Sequence, residues 1–515
     1  MTRHASALAA LAPGVVLGSL LSCAVITSSA HPPTGRRSNV DPATGAPLAP
    51  PVDVAGPKFS GTRLDNGLGV RVFERHSLPL VELRLVLRSG SGTDRDTPGA
   101  ALLTGKLLGE GGRAGPDGLL DRAEALGSSL LVSTSRDATV LSLSVASQQL
   151  DEAMAVLAAV IARAEFDSAM FERSRQREVE RVSRLARTDV SWALSMVLTA
   201  ELFRAGAKRH PYARFDVTAR ELSRLELADC EDWLAENSSP RNAFVVAVGD
   251  VEVARVEQAA ERAFAAWSGR EVAPPIFFPP KRPDKLKVLL LDRRDNPLSE
   301  LRLMLLGPER QSSSWAATEV AAQVLGGGPR SRLARSLLAR QILVHESQAE
   351  ALALAYGQST LALTAVTSAE QVAAALPAAL EELAAALSEP LGAEELETAS
   401  TQLSSAFLLA TDASTSIAEL GVELGVFDLS GDHFEAYSRE FAHADAEAVQ
   451  AAARTSFGAV PIAAVVGDAR SLVTPLSRFG QVQVIDPERN FEVQRVVSHD
   501  PTAPPAPRRG PAPSR

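Results

Sequence analysis

Leucine alternates with polar residues in two short stretches of the chain that resemble each other. Residues 79–87 read PLVELRLVL, and residues 297–305 read PLSELRLML. A period of two predicts a β-strand with one buried and one hydrated face. The two stretches match at most positions and begin 218 residues apart (79 to 297). They therefore indicate an internal duplication.

Three further pairs of segments repeat in the same order at nearly the same offset. Residues 107–111 (LLGEG) resemble 324–328 (VLGGG), 140–143 (VLSL) parallel 360–363 (TLAL), and 247–250 (AVGD) parallel 465–468 (VVGD). In each copy the strand patterns are mixed with long helical patterns rather than alternating strictly with them. This arrangement predicts an α+β fold with two homologous domains, each a mostly antiparallel sheet with helices packed on one face.

The length of 515 residues also favours more than one domain. We expect an N-terminal domain at 58–271, a proline-rich linker at 272–286 and a C-terminal domain at 287–490. Residues 24–57 and 491–515 are rich in Pro, Gly, Ala or Arg and poor in large apolar side chains. We therefore expect a disordered tether before the domains and a disordered tail after them.

Net charge argues against a nucleic-acid partner, and cysteine content argues against an intramolecular disulfide. The formal net charge of −10 gives no basic balance that would favour nucleic acid as a partner. Of the two cysteines, Cys23 lies in the N-terminal apolar run, so Cys230 is alone in the folded body. A single cysteine forms no intramolecular disulfide, and we expect Cys230 to be a small buried side chain.

The first residues have the plan of a secretory signal. Arg3 precedes an apolar stretch that is broken by Pro and Gly, and residues 20–23 (LLSC) resemble a bacterial lipobox. We expect residues 1–23 to be a signal peptide and Cys23 to be lipidated. This predicts a lipid-anchored protein of the cell envelope, on the outer membrane facing the periplasm. Cleavage after Ala30 to give a secreted or periplasmic protein, or an uncleaved anchor, remain alternatives.

Several segments resemble, in order and spacing, the insulinase/pitrilysin-type zinc metallopeptidases, in the branch that includes processing peptidases. The segments are 64–68 (LDNGL), 98–101 (PGAA), 210–212 (HPY), 239–243 (SPRNA) and 325–333 (LGGGPRSRL). Each is weak alone, but together they extend the resemblance over residues 58–490. The resemblance implies the same α+β two-domain fold.

In that family the helix after the Gly-Ala step carries His-x-x-Glu-His. Two imidazoles and a later carboxylate bind Zn²⁺, and the Glu between the histidines accepts a proton from the metal-bound water. Here those positions are Leu102, Gly105 and Lys106. Counting along the next long helix puts Arg181 at the third ligand position, and a shift of one residue puts Glu180 there. The resemblance therefore implies a degenerate member that binds no metal or other cofactor.

The second domain of catalytic relatives supplies an Arg and a Tyr to the site, and the resemblance places Leu338 and His345 at those positions. It also implies that a glycine-rich segment contacts the extended peptide or a partner subunit. In this chain the segment comprises Gly326, Gly327, Gly328 and the nearby Arg332. A plain turn before a helix is the alternative interpretation.

Together these features imply the non-catalytic subunit of a heterodimeric zinc metallopeptidase of the bacterial cell envelope. This chain would help to bind extended peptides, while a homologous zinc-bearing partner cleaves them. One alternative is an envelope binding or scaffold protein with no peptidase partner. Another is an active zinc metalloendopeptidase with relocated ligands, for which His433 and His443 with their acidic neighbours are the candidates.

Overall fold

The computed structural model describes residues 55–110, 118–162, 164–204, 210–275, 278–294 and 296–504. The predicted signal peptide, Cys23 and most of the predicted tether lie outside the described residues. No helix in the described part is long and apolar enough to cross a bilayer.

In the described residues, the first domain contains five strands and eight α-helices. The strands are β1 Gly69–Glu74, β2 Leu80–Leu87, β3 Leu131–Thr134, β4 Thr139–Ala146 and β5 Ala243–Gly249. The helices are α1 Ala100–Gly109, α2 Leu119–Ala125, α3 Leu150–Ala162, α4 Ser168–Thr188, α5 Val190–Leu202, α6 Ala219–Leu222, α7 Leu227–Asn237 and α8 Val253–Phe264.

The second domain, over the residues that the structure describes, contains seven strands and eight α-helices. The strands are β6 Lys287–Asp292, β7 Leu298–Leu306, β8 Val344–Leu352, β9 Thr360–Ser368, β10 Ile462–Gly467, β11 Gln481–Asp486 and β12 Glu492–Val497. The helices are α9 Trp315–Gly326, α10 Arg332–Ala339, α11 Val372–Ser388, α12 Ala393–Ala410, α13 Ser414–Val426, α14 His433–Ala442, α15 Ala446–Phe457 and α16 Ala469–Ser477.

The two sheets share one topology. The first sheet has the order β1-β5-β2-β4-β3, and the second contains the equivalent order β6-β10-β7-β9-β8 with β11 and β12 added beside β6. The pairs β1–β5, β6–β10 and β6–β11 are parallel, and the other pairs are antiparallel. The predicted α+β fold with two homologous, mostly antiparallel domains is therefore confirmed.

The predicted hydrated face of the alternating strands is wrong, because a helix of the opposite domain covers each sheet. Helix α13 packs on β2 and β5 of the first sheet, and α5 packs on β10 and β7 of the second. Gly425 permits this approach, since a Cβ there would lie 2.1 Å from the Phe244 ring. Each domain thus completes the core of the other.

Equivalent arginines show how the polar positions of these strands are used. Arg84 of β2 is only 4% exposed and donates to Glu419 of α13 at 3.3 Å. Arg302 of β7 donates to Ser195 of α5 at 2.7 Å. A buried guanidinium requires such partners. The residues that looked solvent-facing are therefore contacts between the domains.

Both predicted disordered segments are ordered at their inner ends. Strand β12 pairs with β11, so the prediction of disorder from residue 491 onward is wrong for Glu492–Val497. Its sequence, EVQRVV, contains three β-branched valines, which favour a strand. Pro57, the last residue of the predicted tether, is buried.

Candidate functional site

A cavity of about 540 Å³ lies between the two domains. Its first-domain wall includes side chains from α1, β3, α4 and α5, and its second-domain wall includes side chains from α9, α12, α13 and α14. Leu102, Gly105, Lys106 and Arg181 all line this cavity. The structure therefore brings together the positions at which the resemblance places the zinc ligands and the general base.

Helix α1 presents Leu102, Gly105 and Lys106 on one face because they are three and four residues apart. The start of the helix is fixed by Asp94, whose carboxylate accepts the backbone N–H groups of Gly99 at 2.7 Å and Ala101 at 2.9 Å. Burial raises the pKa of Asp94 to about 7 despite these two hydrogen bonds.

Gly105 lies against strand β3. A Cβ at this position would be 2.2 Å from Oγ1 of Thr134, much closer than ordinary van der Waals contact. A glutamate at the position of the family's general base therefore does not fit unless Thr134 moves. The close packing of α1 on β3 is maintained by the absence of a side chain.

Beside Gly105, an ion cluster connects α1 to α4. Lys106 Nζ is 3.6 Å from Glu178 Oε1, and Arg181 Nε is 2.5 Å from Glu178 Oε2. Arg181 also pairs with Asp216 at 3.1 Å. Burial alone would lower the pKa of Arg181, but Asp216 and Glu178 raise it. Two cations are thus neutralised by two carboxylates.

These residues do not fit a zinc ion. Leu102 has no donor atom, protonated Lys106 has no lone pair, and Glu178 is already paired with two cations. The described residues contain no group of three or more His, Cys, Asp and Glu that could hold a metal. His433 and His443, the candidates for relocated ligands, lie at opposite ends of α14.

The structure separates the two candidates for the third ligand position. Arg181 lines the cavity, whereas Glu180 is exposed and accepts a hydrogen bond from Gln176 at 2.8 Å. The carboxylate beside Lys106 belongs to Glu178, one turn earlier, which sequence counting missed. The helical spacing of Glu178 could have indicated that it is buried. It falls on one buried stripe of α4 with Phe171, Ser174 and Val182.

The other predicted positions lie outside this cavity. Leu338 is 67% exposed at the end of α10, and His345 is exposed on β8. Arg332 is 9% exposed and pairs with Glu395 at 2.7 Å, which joins α10 to α12.

Two glycines of the glycine-rich segment, Gly326 and Gly328, have local structural roles. Gly326 packs closely on β8 and β9, where a Cβ would meet Leu363 at 2.4 Å. Gly328 has a φ of +83°, which glycine adopts without strain.

The second-domain wall carries a polar cluster that sequence reasoning also missed. Arg310 pairs with Glu423 at 2.7 Å, and its guanidinium lies 5.0 Å from the centre of the Trp315 ring. The hydroxyl of Tyr437 donates to Glu319 and accepts from Trp315 Nε1 at 3.1 Å. Burial raises the pKa of Glu319 to about 7. The signal in the sequence was a lone Glu in the apolar helix α9.

Comparisons with solved structures show the same fold at low identity. A peptidase M16 inactive domain from Pseudomonas fluorescens is 22% identical, with a TM-score of 0.72 over 80% of this chain and 98% of that chain. A chain of complex III2 from Candida albicans is 17% identical, with a TM-score of 0.66 over 79% of this chain and 95% of that chain. The first half of the periplasmic protease PqqL from Escherichia coli is 16% identical, with a TM-score of 0.64 over 83% of this chain and 98% of that chain.

Family comparisons cover most of the folded body. Residues 72–213 match the family described as Insulinase (Peptidase family M16), and residues 224–403 match the Peptidase M16 inactive domain. A search of curated proteins found no match. The two matches follow each other along the chain, and the second begins within the first domain, just before α7, and extends into α12 of the second. The chain therefore belongs to the insulinase family, peptidase family M16.

Proposed function

We propose that this protein is the non-catalytic subunit of a heterodimeric zinc metallopeptidase of the bacterial cell envelope. In this proposal it binds extended peptides in the cavity between its domains, and a homologous zinc-bearing partner cleaves them. Zinc belongs to the partner, and this chain binds no metal.

The observation that carries the proposal is the ion cluster at the zinc positions. Lys106 and Arg181 hold Glu178 there, so the available carboxylate is already neutralised by cations. The packing of Gly105 on Thr134 disfavours a side chain at the general-base position of the same helix face. In the described residues both sheets keep the same five-strand order around these changes, which supports a function in binding rather than in hydrolysis.

The edge of the first sheet offers a place for an extended peptide. Strand β3 is the last strand of that sheet, and Val132, Ser133 and Thr134 line the cavity. An edge strand accepts an added strand through its backbone groups with little dependence on sequence. The Candida albicans chain with this fold is part of complex III2, and we infer that this chain also functions within an assembly.

Metal content and proteolysis test the proposal directly. The purified chain should contain no stoichiometric zinc and should cleave no unstructured peptide. The chain tagged in its native host should co-purify with a homologue that retains His-x-x-Glu-His, and adding it back should raise that homologue's peptidase activity. Tight zinc with chelator-sensitive cleavage by the chain alone would contradict the proposal. Failure to find such a homologue would favour a scaffold protein instead.

The envelope location is tested separately through Cys23. Metabolic labelling with a fatty-acid analogue should mark the wild-type protein and not the Cys23→Ser variant, which retains Cys230. Cleavage after Ala30 with no label would overturn lipid anchoring and leave the peptide-binding proposal unaffected.

A further inference from the structure

A second cavity, of about 310 Å³, shares no lining residue with the larger cavity of about 540 Å³. Its volume is in the range of small-molecule sites. Among its described lining residues, Asp428 is the single carboxylate, against four arginines: Arg63, Arg71, Arg88 and Arg241. This cavity is called the arginine pocket below.

The first sheet brings two of these arginines to the pocket. Strand β5 lies between β1 and β2. Arg71 is on β1, and its guanidinium lies 5.8 Å from the centre of the Phe244 ring on β5. Arg88 follows β2, and its backbone N–H donates to the carbonyl of Asn242, just before β5, at 2.9 Å. The backbone of Arg88 therefore lies next to the turn that contains Arg241.

The turn at Gly67 holds the other two arginines. The Arg63 guanidinium donates to the carbonyl oxygen of Gly67 at 2.8 Å. Gly67 has a φ of +94°, and a Cβ there would lie 2.7 Å from Cγ of Arg241. Glycine thus permits both the turn and the close approach of the Arg241 side chain.

The positive charge of the arginine pocket is largely unmatched. In the described part of the chain, none of its four arginines forms an ion pair with a carboxylate. Burial lowers the pKa of Arg71; Asp428 raises that pKa, and Arg88 and Arg63 lower it. The guanidiniums are therefore close enough to repel one another. Four guanidiniums and one carboxylate give the pocket a formal charge of +3, in a chain with a net charge of −10.

We infer that the arginine pocket binds a phosphate-bearing anion. A guanidinium presents its donors in a planar fork that matches two oxygens of a phosphate group. A phosphate compound with two or more negative charges offsets the charge of the pocket better than a single carboxylate does. A lipid headgroup and a soluble phosphate compound share this chemistry. The site is independent of the cavity in which we propose that peptides bind.

Calorimetric titration of the purified protein with pyrophosphate tests the site. The wild-type protein should show saturable binding. Arg88→Gln and Arg241→Gln should each weaken it about tenfold, because each removes one charge-assisted contact to the anion. Arg262→Gln is the matched control, since Arg262 is 61% exposed on α8 and its loss changes the net charge equally. Its affinity should equal that of the wild type.

Asp428→Asn gives a readout that misfolding cannot imitate. It removes the one carboxylate of the pocket and should tighten pyrophosphate binding about threefold. Asp428 has a φ of +52°, a conformation that asparagine also tolerates, so the variant should fold. Unchanged or weaker binding by this variant would contradict the site.

Vesicles distinguish the two sources of phosphate. Sedimentation with vesicles of phosphatidylcholine and phosphatidic acid, lost in Arg88→Gln and absent with phosphatidylcholine alone, would assign the phosphate to a lipid headgroup. Pyrophosphate binding without vesicle binding would assign it to a soluble compound. Failure of the wild-type protein to bind either probe would overturn the inference. Wild-type affinity in both Arg88→Gln and Arg241→Gln would overturn it equally.

Discussion

Replacing Gly105 by alanine tests whether the packing of α1 on β3 excludes a side chain at the general-base position. The added Cβ would be 2.2 Å from Thr134 Oγ1, whereas ordinary contact begins near 3.4 Å, so Thr134 would have to retreat by roughly 1 Å. Overpacking of this kind costs about 1–3 kcal/mol. Alanine recovers about 1 kcal/mol through its higher helix propensity. We expect a net loss of about 1 kcal/mol.

A double-mutant cycle isolates the contact. In a Thr134→Ala background the clashing oxygen is gone, and the remaining neighbours of the new Cβ lie at 3.5 Å or more. Gly105→Ala should then stabilise the protein by roughly 0.5–1 kcal/mol. The coupling energy should be close to 2 kcal/mol, measured from urea unfolding monitored by circular dichroism. Gly109→Ala is the control on the same helix, because its nearest neighbours are at 3.5 Å and no loss is expected.

Additive effects of the two substitutions would refute this reasoning. They would show that α1 and β3 separate freely enough to admit a side chain. A stabilising Gly105→Ala in the wild-type background would lead to the same conclusion. Exclusion of a general base from this position would then rest only on its absence from the sequence.

Three further predictions concern buried charges. Arg310→Met should destabilise the protein by about 3 kcal/mol in urea unfolding, because it leaves the half-buried Glu423 without its buried cation. Glu319→Gln should remove part of the pH dependence of stability. Its raised pKa of about 7 means that the folded state binds the proton more tightly, so its contribution is present below about pH 4.5 and is lost as the pH rises through 7. Between pH 4.5 and 7 the difference in free energy of unfolding between wild type and variant should change by on the order of 3 kcal/mol. A difference that does not vary with pH would contradict this prediction. Arg332→Ala should lower stability by about 1 kcal/mol, because the half-buried Glu395 keeps its pair with Arg335, and should leave peptide affinity unchanged. A selective loss of affinity would restore Arg332 as a peptide contact.

The candidate site was only partly predictable from the sequence. Spacing on one helix placed Leu102, Gly105 and Lys106 on a common face, and all three line the cavity. Counting across a longer segment was less reliable. It reached Arg181 but overlooked Glu178, because the position of α4 relative to α1 depends on the intervening segment and on packing. The same limitation applies to Leu338 and His345, which lie outside the cavity.

The sequence by itself determined the duplication, the strand and helix periodicities, and the residue types at the positions where the resemblance places the zinc ligands. These properties depend on residue types and on neighbours a few positions away. Only the tertiary structure decided what covers each sheet and which side chains face the cavity. The contact between Arg84 and Glu419 joins residues 335 positions apart, and Arg302 reaches Ser195 across 107 positions. Local periodicity reports whether a face can be buried, but the partner that buries it is set by the docking of two domains.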